Sequence, residues 1–369
     1  MHGGVLAVFI TVVGARFLVP LTIPRWPLPG VIASLVLDAV DHSVFQAFGY
    51  DPPAYQGYDK AMDTYYLAIA YLSTLRNWSS MPAFGVARFL YFYRLVGVVA
   101  FELTQVRALL LIFANTFEYF FIAYEGVRTR WDAGRWVQRT WVYVAAAIWI
   151  FIKLPQEWWI HIAKLDFTDA LAEHAWFGPL ILAGLGVLAL VLWFVVRPRL
   201  SPPDWPWKLA ADPLPEEIDS AAEVAAWSAT RGRLVSWVTF ERVVLVGLLS
   251  VLFAQVLPGV EADATEMFVG VSVLVLINAA LALAAQRRSR SIESLAVAFV
   301  VRTAVNVALV VVEGIVLGRL GGSLNYGHAL FFVLLLSLVT TMHERWRPVY
   351  DWRRAHEPAP TPGAVDPAV

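Results

Sequence analysis

The sequence predicts an all-α, polytopic transmembrane helical bundle, with about 10 spans and interfacial helices on the outer face. Three observations predict it. Of 369 residues, 59% are hydrophobic and only 15% are charged, where soluble domains usually carry about a quarter. Mean hydropathy is +0.62. Apolar runs of roughly 17–25 residues, enough to cross a bilayer, recur along the chain. Cysteine is absent, which excludes disulfides, thiolate metal sites and cysteine nucleophiles. The formal net charge of −1 gives no ground for a nucleic-acid partner.

The chain opens on MHGGVLAVFITVVGARFLVP, which lacks a basic n-region and a small-residue cleavage site, so residues 4–21 read as a retained first span. The next apolar run, PGVIASLVLDAVDHSVFQAFGY, is interrupted by Asp38, Asp41 and His42. An ionised group at mid-bilayer is costly. Residues 30–49 are therefore expected as an amphipathic or re-entrant helix at the outer interface, not an eleventh span. Spans at 60–77, 82–101, 107–125, 140–154 and 177–197 complete a six-span half, residues 1–197. Residues 198–241 form a linker. The prolines of RPRLSPPDWPWK stop the preceding helix, and Glu216, Glu217 and Asp219 begin a short one. Spans at 243–259, 267–286, 294–318 and 326–343 make a four-span half, 242–343, and the Pro- and Ala-rich tail, 344–369, is expected to be disordered. No repeat relates the halves.

Lys and Arg in short loops set orientation. Arg76, the group from Arg128 to Arg139, the linker, Arg287 to Arg290, and the tail from Arg345 alternate with loops poor in base. Ten spans then place both termini in the cytoplasm. Composition suggests a bacterial cytoplasmic membrane, with the lipid bilayer as the obligate partner.

Two acidic, aromatic-rich motifs fall on the predicted outer face. The stretch KLPQEWWIHIAKLDFTD follows an apolar run, and Pro155 suits the first turn of a new helix, near 155–165. Glu157, His161 and Lys164 share one face of it, while Trp158 and Trp159 suit the headgroup level. The other motif is LDAVDHSVF, followed by GYDPPAYQGYDKAMDTYY. Asp38 with Asp41 and Glu157 with His161 each present two groups on one helix face. Such pairs could serve as general acid and base or ligate a divalent cation. A solvated stripe is the plain alternative.

Ionisable groups at depth are functional candidates by default. Arg88 and Arg94 lie in the third span, Asn115 and Glu118 in the fourth. At ~1.5 Å per residue, Arg88 pairs in depth with Glu118, and Arg94 with Asn115. Arg302, Asn306 and Glu313 fall within about 40° of one another on a helical wheel and should face the interior. Each set reads either as a packing network or as the lining of a polar route.

No Walker A loop, dinucleotide fingerprint, G-x-S-x-G elbow or H-E-x-x-H appears. The acidic first outer loop after span one resembles the layout of the GT-C class of polyprenyl-phosphate-sugar glycosyltransferases, over about the first 60 residues. It departs from that class's adjacent or one-apart acidic pair, since Asp38 and Asp41 are three apart. The resemblance implies Asp38 or Asp41 as catalytic base or metal ligand. Tyr55, Tyr58, Trp158 and Trp159 would bind sugar or headgroup, and Arg94 or Arg107 a phosphate. The leading expectation is thus a membrane-embedded transferase acting on a lipid or lipid-linked substrate at the outer face, with Asp38, Asp41, Glu157 and His161 as its catalytic candidates and Lys164 beside them. A proton-coupled secondary transporter lined by Arg88, Glu118, Asn115, Arg302, Asn306 and Glu313 is the alternative. A non-catalytic membrane subunit is the third reading.

Overall fold

The computed structural model describes residues 3–49, 55–163, 173–199, 201–257, 260, 263–288, 290–319 and 325–356. Among them there is no strand; the chain is an all-α polytopic bundle. Its path begins with α1 (Gly3–Leu18), continued by a 3₁₀ turn, Val19–Thr22. Then come α2 (Pro27–Ala47), α3 (Tyr55–Asn77) and α4 (Met81–Thr104). The Ser80 hydroxyl accepts from Ala83 N–H and so caps α4. After α5 (Ala108–Ile112) and α6 (Thr116–Arg128), α7 (Gln138–Ile148) passes through a π turn into α8 (Leu154–Glu157) and a second π turn, Trp158–Ile162. α9 (Phe177–Val191) precedes the linker, which contains α10 (Ala221–Arg231). α11 (Trp237–Val256), α12 (Ala264–Arg287), α13 (Leu295–Arg319) and α14 (Tyr326–Ala355) finish the bundle. Among the described residues, eight segments, α2 among them, are long and apolar enough to cross a membrane.

α3 is the axis, packing on α1, α2, α4, α6, α11 and α14. Every residue from Thr64 to Leu75 is buried. It is not among the eight apolar helices, because a helix enclosed by protein need not be apolar. Aromatic side chains fill the core around it: Tyr71 stacks on Tyr91 at 4.7 Å, and Trp78 on Tyr124 at 3.7 Å.

Hydrogen bonds sort the connections into two ends. Asn77 Nδ2 donates to Pro24 O (3.1 Å), and Ala211 N–H to Arg25 O (2.8 Å). Lys208 N–H donates to Thr129 O (3.0 Å), Arg353 Nη1 to Arg76 O (2.5 Å), and Ala221 N–H to the Glu293 carboxylate (2.8 Å). The α1–α2, α3–α4, α6–α7 and α12–α13 connections, the linker and the C-terminal end of α14 thus gather at one end, the linker end.

This arrangement corrects the expectation for residues 30–49. α2 starts at the linker end, and the start of α3 lies at the other, where Gly57 approaches Val256 at the end of α11. Its 21 residues, about 31 Å of helix, run through the bundle instead of lying on its face. Arg16 of α1 pairs with both Asp38 and Asp41 there, which offsets part of the cost of placing them inside the helix. Within the bundle, α1 begins at the end opposite to the one where α14 stops.

Three further expectations change. The segment 107–125 is not one continuous helix, since Phe113–Asn115 separate α5 from α6. Pro155 does not open a new helix. The π turn before it shifts the backbone to i→i+5 bonding, with Leu154 N–H donating to Trp149 O, and the helix continues. The tail is helical to Ala355 rather than disordered from residue 344, and residues 357–369 lie outside the described residues. In the linker, Glu216–Ile218 make only a 3₁₀ turn. The helix proper starts after Ser220, which forms a capping box with Glu223.

Candidate functional site

Four aspartates from two helices converge on one arginine near the end opposite the linker. Asp38 and Asp41 are three apart on α2, Asp59 and Asp63 four apart on α3, and each spacing puts both carboxylates on one helix face. Arg16 of α1 lies between them, 3% exposed. Its Nη2 is 2.8 Å from Asp38 Oδ1 and donates to Asp63 Oδ1 at 2.9 Å. Its Nη1 donates to Asp41 Oδ2 and reaches Asp59 Oδ1 at 3.5 Å. The Tyr55 hydroxyl donates to the other Asp41 oxygen, and the Tyr55 ring stacks on His42 at 4.4 Å. The guanidinium stands 5.9 Å from the Tyr58 ring centroid. Carboxylate oxygens of Asp38, Asp59 and Asp63 lie within 4.8 Å of one another, a spacing that could hold a metal ion. Ionised, the four aspartates outweigh the arginine by three charges.

A polar seam leads inward from this cluster. Tyr66, one turn past Asp63, donates its hydroxyl to Glu118 Oε1 on α6. Glu118 Oε2 accepts from Asn115 Nδ2 (2.9 Å) and lies 3.7 Å from Lys153 Nζ. Asn115 N–H donates to Glu157 Oε1 (3.4 Å). The seam passes the α5–α6 break, where Arg94 Nη1 donates to Phe113 O (3.0 Å) and the Tyr93 hydroxyl to Ile112 O (2.9 Å). Those carbonyls are released from helical bonding, and the two side chains satisfy them.

A second buried network lies toward the linker end. Glu241 of α11 accepts from the Tyr71 hydroxyl and from Arg347 Nη1 (2.6 Å), with Arg88 Nη1 at 3.8 Å. Arg242 donates to His343 Nδ1 (3.3 Å) and to Glu344 (2.5 Å), and Arg302 also donates to Glu344. Asn306 links Asn278 (2.6 Å) to Ser337 (2.9 Å).

The structure brings Asp38, Asp41, Tyr55 and Tyr58 together. It places Glu157 elsewhere: buried, on the seam beyond Glu118, not on a solvated surface helix. The π turns rotate Lys153 and Glu157 inward while Trp158 stays exposed; Trp159 stacks on Phe177 at 5.8 Å. The His161 side chain and Lys164 lie outside what is described. Arg107 is exposed at the start of α5. The depth pairing of Arg88 with Glu118 is corrected, since Arg88 faces Glu241 and Glu118 faces Tyr66 and Lys153. Arg94 reaches Phe113 O, two residues from Asn115. The expected stripe of Arg302, Asn306 and Glu313 is broken, because Asn306 is buried whereas Glu313 is exposed.

Asp59 and Asp63 lie in the GYDPPAYQGYDKAMDTYY segment but are not among the candidates named from the sequence. Their signal was the i, i+4 repeat of the Asp38/Asp41 pairing on the next helix. Arg16, Lys153, Glu241 and Glu344 were also missed. Comparison of the chain with family models, with curated proteins and with solved structures finds no match in any of the three.

Proposed function

We propose that this chain is a membrane-embedded transferase that uses a divalent cation to act on a lipid or lipid-linked phosphate substrate. The observation that carries the reading is the convergence of Asp38, Asp59 and Asp63 oxygens within 4.8 Å. Hard divalent cations take oxygen ligands from carboxylates, and three carboxylates in excess over one guanidinium are a charge set that such a cation balances. A bound cation would neutralise a phosphoryl group and orient the attacking oxygen. Asp41 acts differently, holding Tyr55 and Arg16 in place. Asp38, Asp59 and Asp63 side chains keep 22%, 31% and 23% exposure, enough for a substrate to approach.

The positive-inside rule puts the basic linker end in the cytoplasm. The aspartate cluster then opens to the extracytoplasmic side of a bacterial cytoplasmic membrane, with the N-terminus outside and the C-terminus inside. Titration of the detergent-solubilised protein with Mn²⁺, read by electron paramagnetic resonance, tests the metal. A saturable site in the native chain, lost in Asp59→Asn and Asp63→Asn, is expected. If the native chain binds no Mn²⁺ or Mg²⁺ at millimolar concentration, the transferase reading fails.

One observation favours a second reading, a proton-coupled transporter. The α5–α6 break sits on a buried carboxylate–ammonium pair, Glu118 and Lys153, and broken helices in transporters place such groups at the binding site. Proton uptake into vesicles that is abolished by Glu118→Gln, with no Mn²⁺ site, selects that reading.

A further inference from the structure

A cavity of about 360 Å³ opens at the linker end between α10, α12, α13 and α14. Its walls divide by chemistry. Leu281 of α12 and Ala298, Val301 and Val305 of α13 form an apolar side. Leu281, Val301 and Val305 are exposed, so that side is continuous with the outer surface of the bundle. Arg290, Arg302 and Arg345 form the polar side with Glu344, and Glu293 stands behind it, 3.7 Å from Arg345. The Glu344 carboxylate is already shared between Arg242 and Arg302. Arg302 Nη1, Arg345 Nη1 and Thr341 Oγ1 are buried there without a hydrogen bond, and Thr341 is 4% exposed. Buried donors left unpaired cost about 1–3 kcal/mol each. A phosphate, rich in acceptors and negatively charged, matches donors of this kind.

The neighbouring helices add a second element. α12 and α13 are consecutive, yet α12 packs on α11 and α13 on α14. The two meet through the Asn278–Asn306 hydrogen bond at 2.6 Å. A groove with apolar walls therefore runs between them, away from the arginines and toward the middle of the bundle.

We infer that this cavity binds the phosphate headgroup of an anionic phospholipid from the leaflet at the linker end, with an acyl chain along the α12–α13 groove. Basic pockets between spanning helices bind lipid head groups in this way. The basic side lies where the linker meets the bundle, at headgroup depth, and the apolar side lies deeper. A soluble anion would use the arginines but not the groove. The site lies at the opposite end from the aspartates and is independent of the transferase reading.

Native mass spectrometry tests it on the full chain, extracted from vesicles of equal phosphatidylglycerol and phosphatidylcholine. One retained phosphatidylglycerol, in preference to phosphatidylcholine, is expected. The double variant Arg290→Gln/Arg345→Gln should weaken retention roughly thirtyfold. Ala298→Trp, which fills the cavity and leaves every charge in place, should do the same. A thermal melt matching the native chain shows that each variant folds. Equal retention of the two lipids overturns the inference. So does unchanged phosphatidylglycerol retention in a folded variant, or displacement of the lipid by about 10 mM inorganic phosphate, which would mark a site for the free anion.

Discussion

Replacing Arg16 by glutamine removes the one positive charge at the centre of the aspartate cluster. At an effective dielectric of about 20, each unit charge near 4 Å contributes about 4 kcal/mol of attraction, offset by the desolvation that burial imposes. Removing one partner of a buried pair costs about 3–5 kcal/mol, chiefly because the other charge is left uncompensated. Here the penalty falls mostly on Asp41, whose side chain is 1% exposed, while Asp38, Asp59 and Asp63 have 22–31% exposure and can draw on water or protons. The lower end applies, about 3 kcal/mol. Asp41→Asn in the Arg16→Gln background should recover about 1–2 kcal/mol of it, a coupling in the range found for residues in direct contact. Reversible denaturation of the purified protein in mixed micelles, followed by circular dichroism, gives all four corners of the cycle. If Arg16→Gln lies within 1 kcal/mol of the native chain, or the cycle closes without coupling, the cluster is not held by this arginine.

Four other outcomes are expected. Gly97→Ala should destabilise by about 1–3 kcal/mol, because its Cβ would stand 2.0 Å from Phe113 Cβ; a raised melting temperature would contradict the packing. Tyr66→Phe should cost about 1.5–3 kcal/mol by leaving Glu118 short of a donor, measured in the same denaturation assay. In the cysteine-free chain, an impermeant thiol reagent should label Gly3→Cys from outside intact cells and Ala355→Cys only in inverted vesicles. Labelling of both from one side would remove α2 from the count of crossings. Hydrogen bonds from Thr265 N–H (2.7 Å) and Glu266 N–H (3.4 Å) hold the Asp263 carboxyl, outside the spans, below its ordinary value. A lowered acid stabilises fully above its unfolded pKa of about 4 and loses that contribution as pH falls through the folded value. The hydrogen-exchange protection factor at the start of α12, which is corrected for the intrinsic pH dependence of exchange, should therefore fall in acid, and Asp263→Asn should flatten the dependence.

Much of the helical path is legible in the sequence because apolar length alone specifies a crossing. The span at 267–286, for example, differs from α12 by a few residues. The cost of Asp38 and Asp41 in lipid is real for an isolated helix, and the residue that pairs with both, Arg16, lies 25 positions from Asp41 on another helix. Periodicity within one segment cannot report a partner in the next. The same limit hid the pairing of Arg88 with Glu241 and of Arg347 with the same carboxylate, contacts between residues more than a hundred positions apart. Asp59 and Asp63 were readable in principle, since a pair on one face of α3 answers a pair on one face of α2. Pro155 was misread for a local reason: a π turn leaves room for a ring without an N–H, and no residue type marks such a turn.

The α5–α6 interruption is written on a neighbouring helix. The residues at the gap, Phe113, Ala114 and Asn115, include neither glycine nor proline, so the segment carries no breaker of its own. The space into which Phe113 drops is the missing side chain of Gly97, and the carbonyls set free are claimed by Tyr93 and Arg94, all on α4. A peptide of residues 107–128 in lipid, deprived of α4, should therefore form one uninterrupted helix. The breaker acts in trans, from α4. The local geometry here, and with it the seam that ends on Glu157, is a product of tertiary packing rather than a property of any one span.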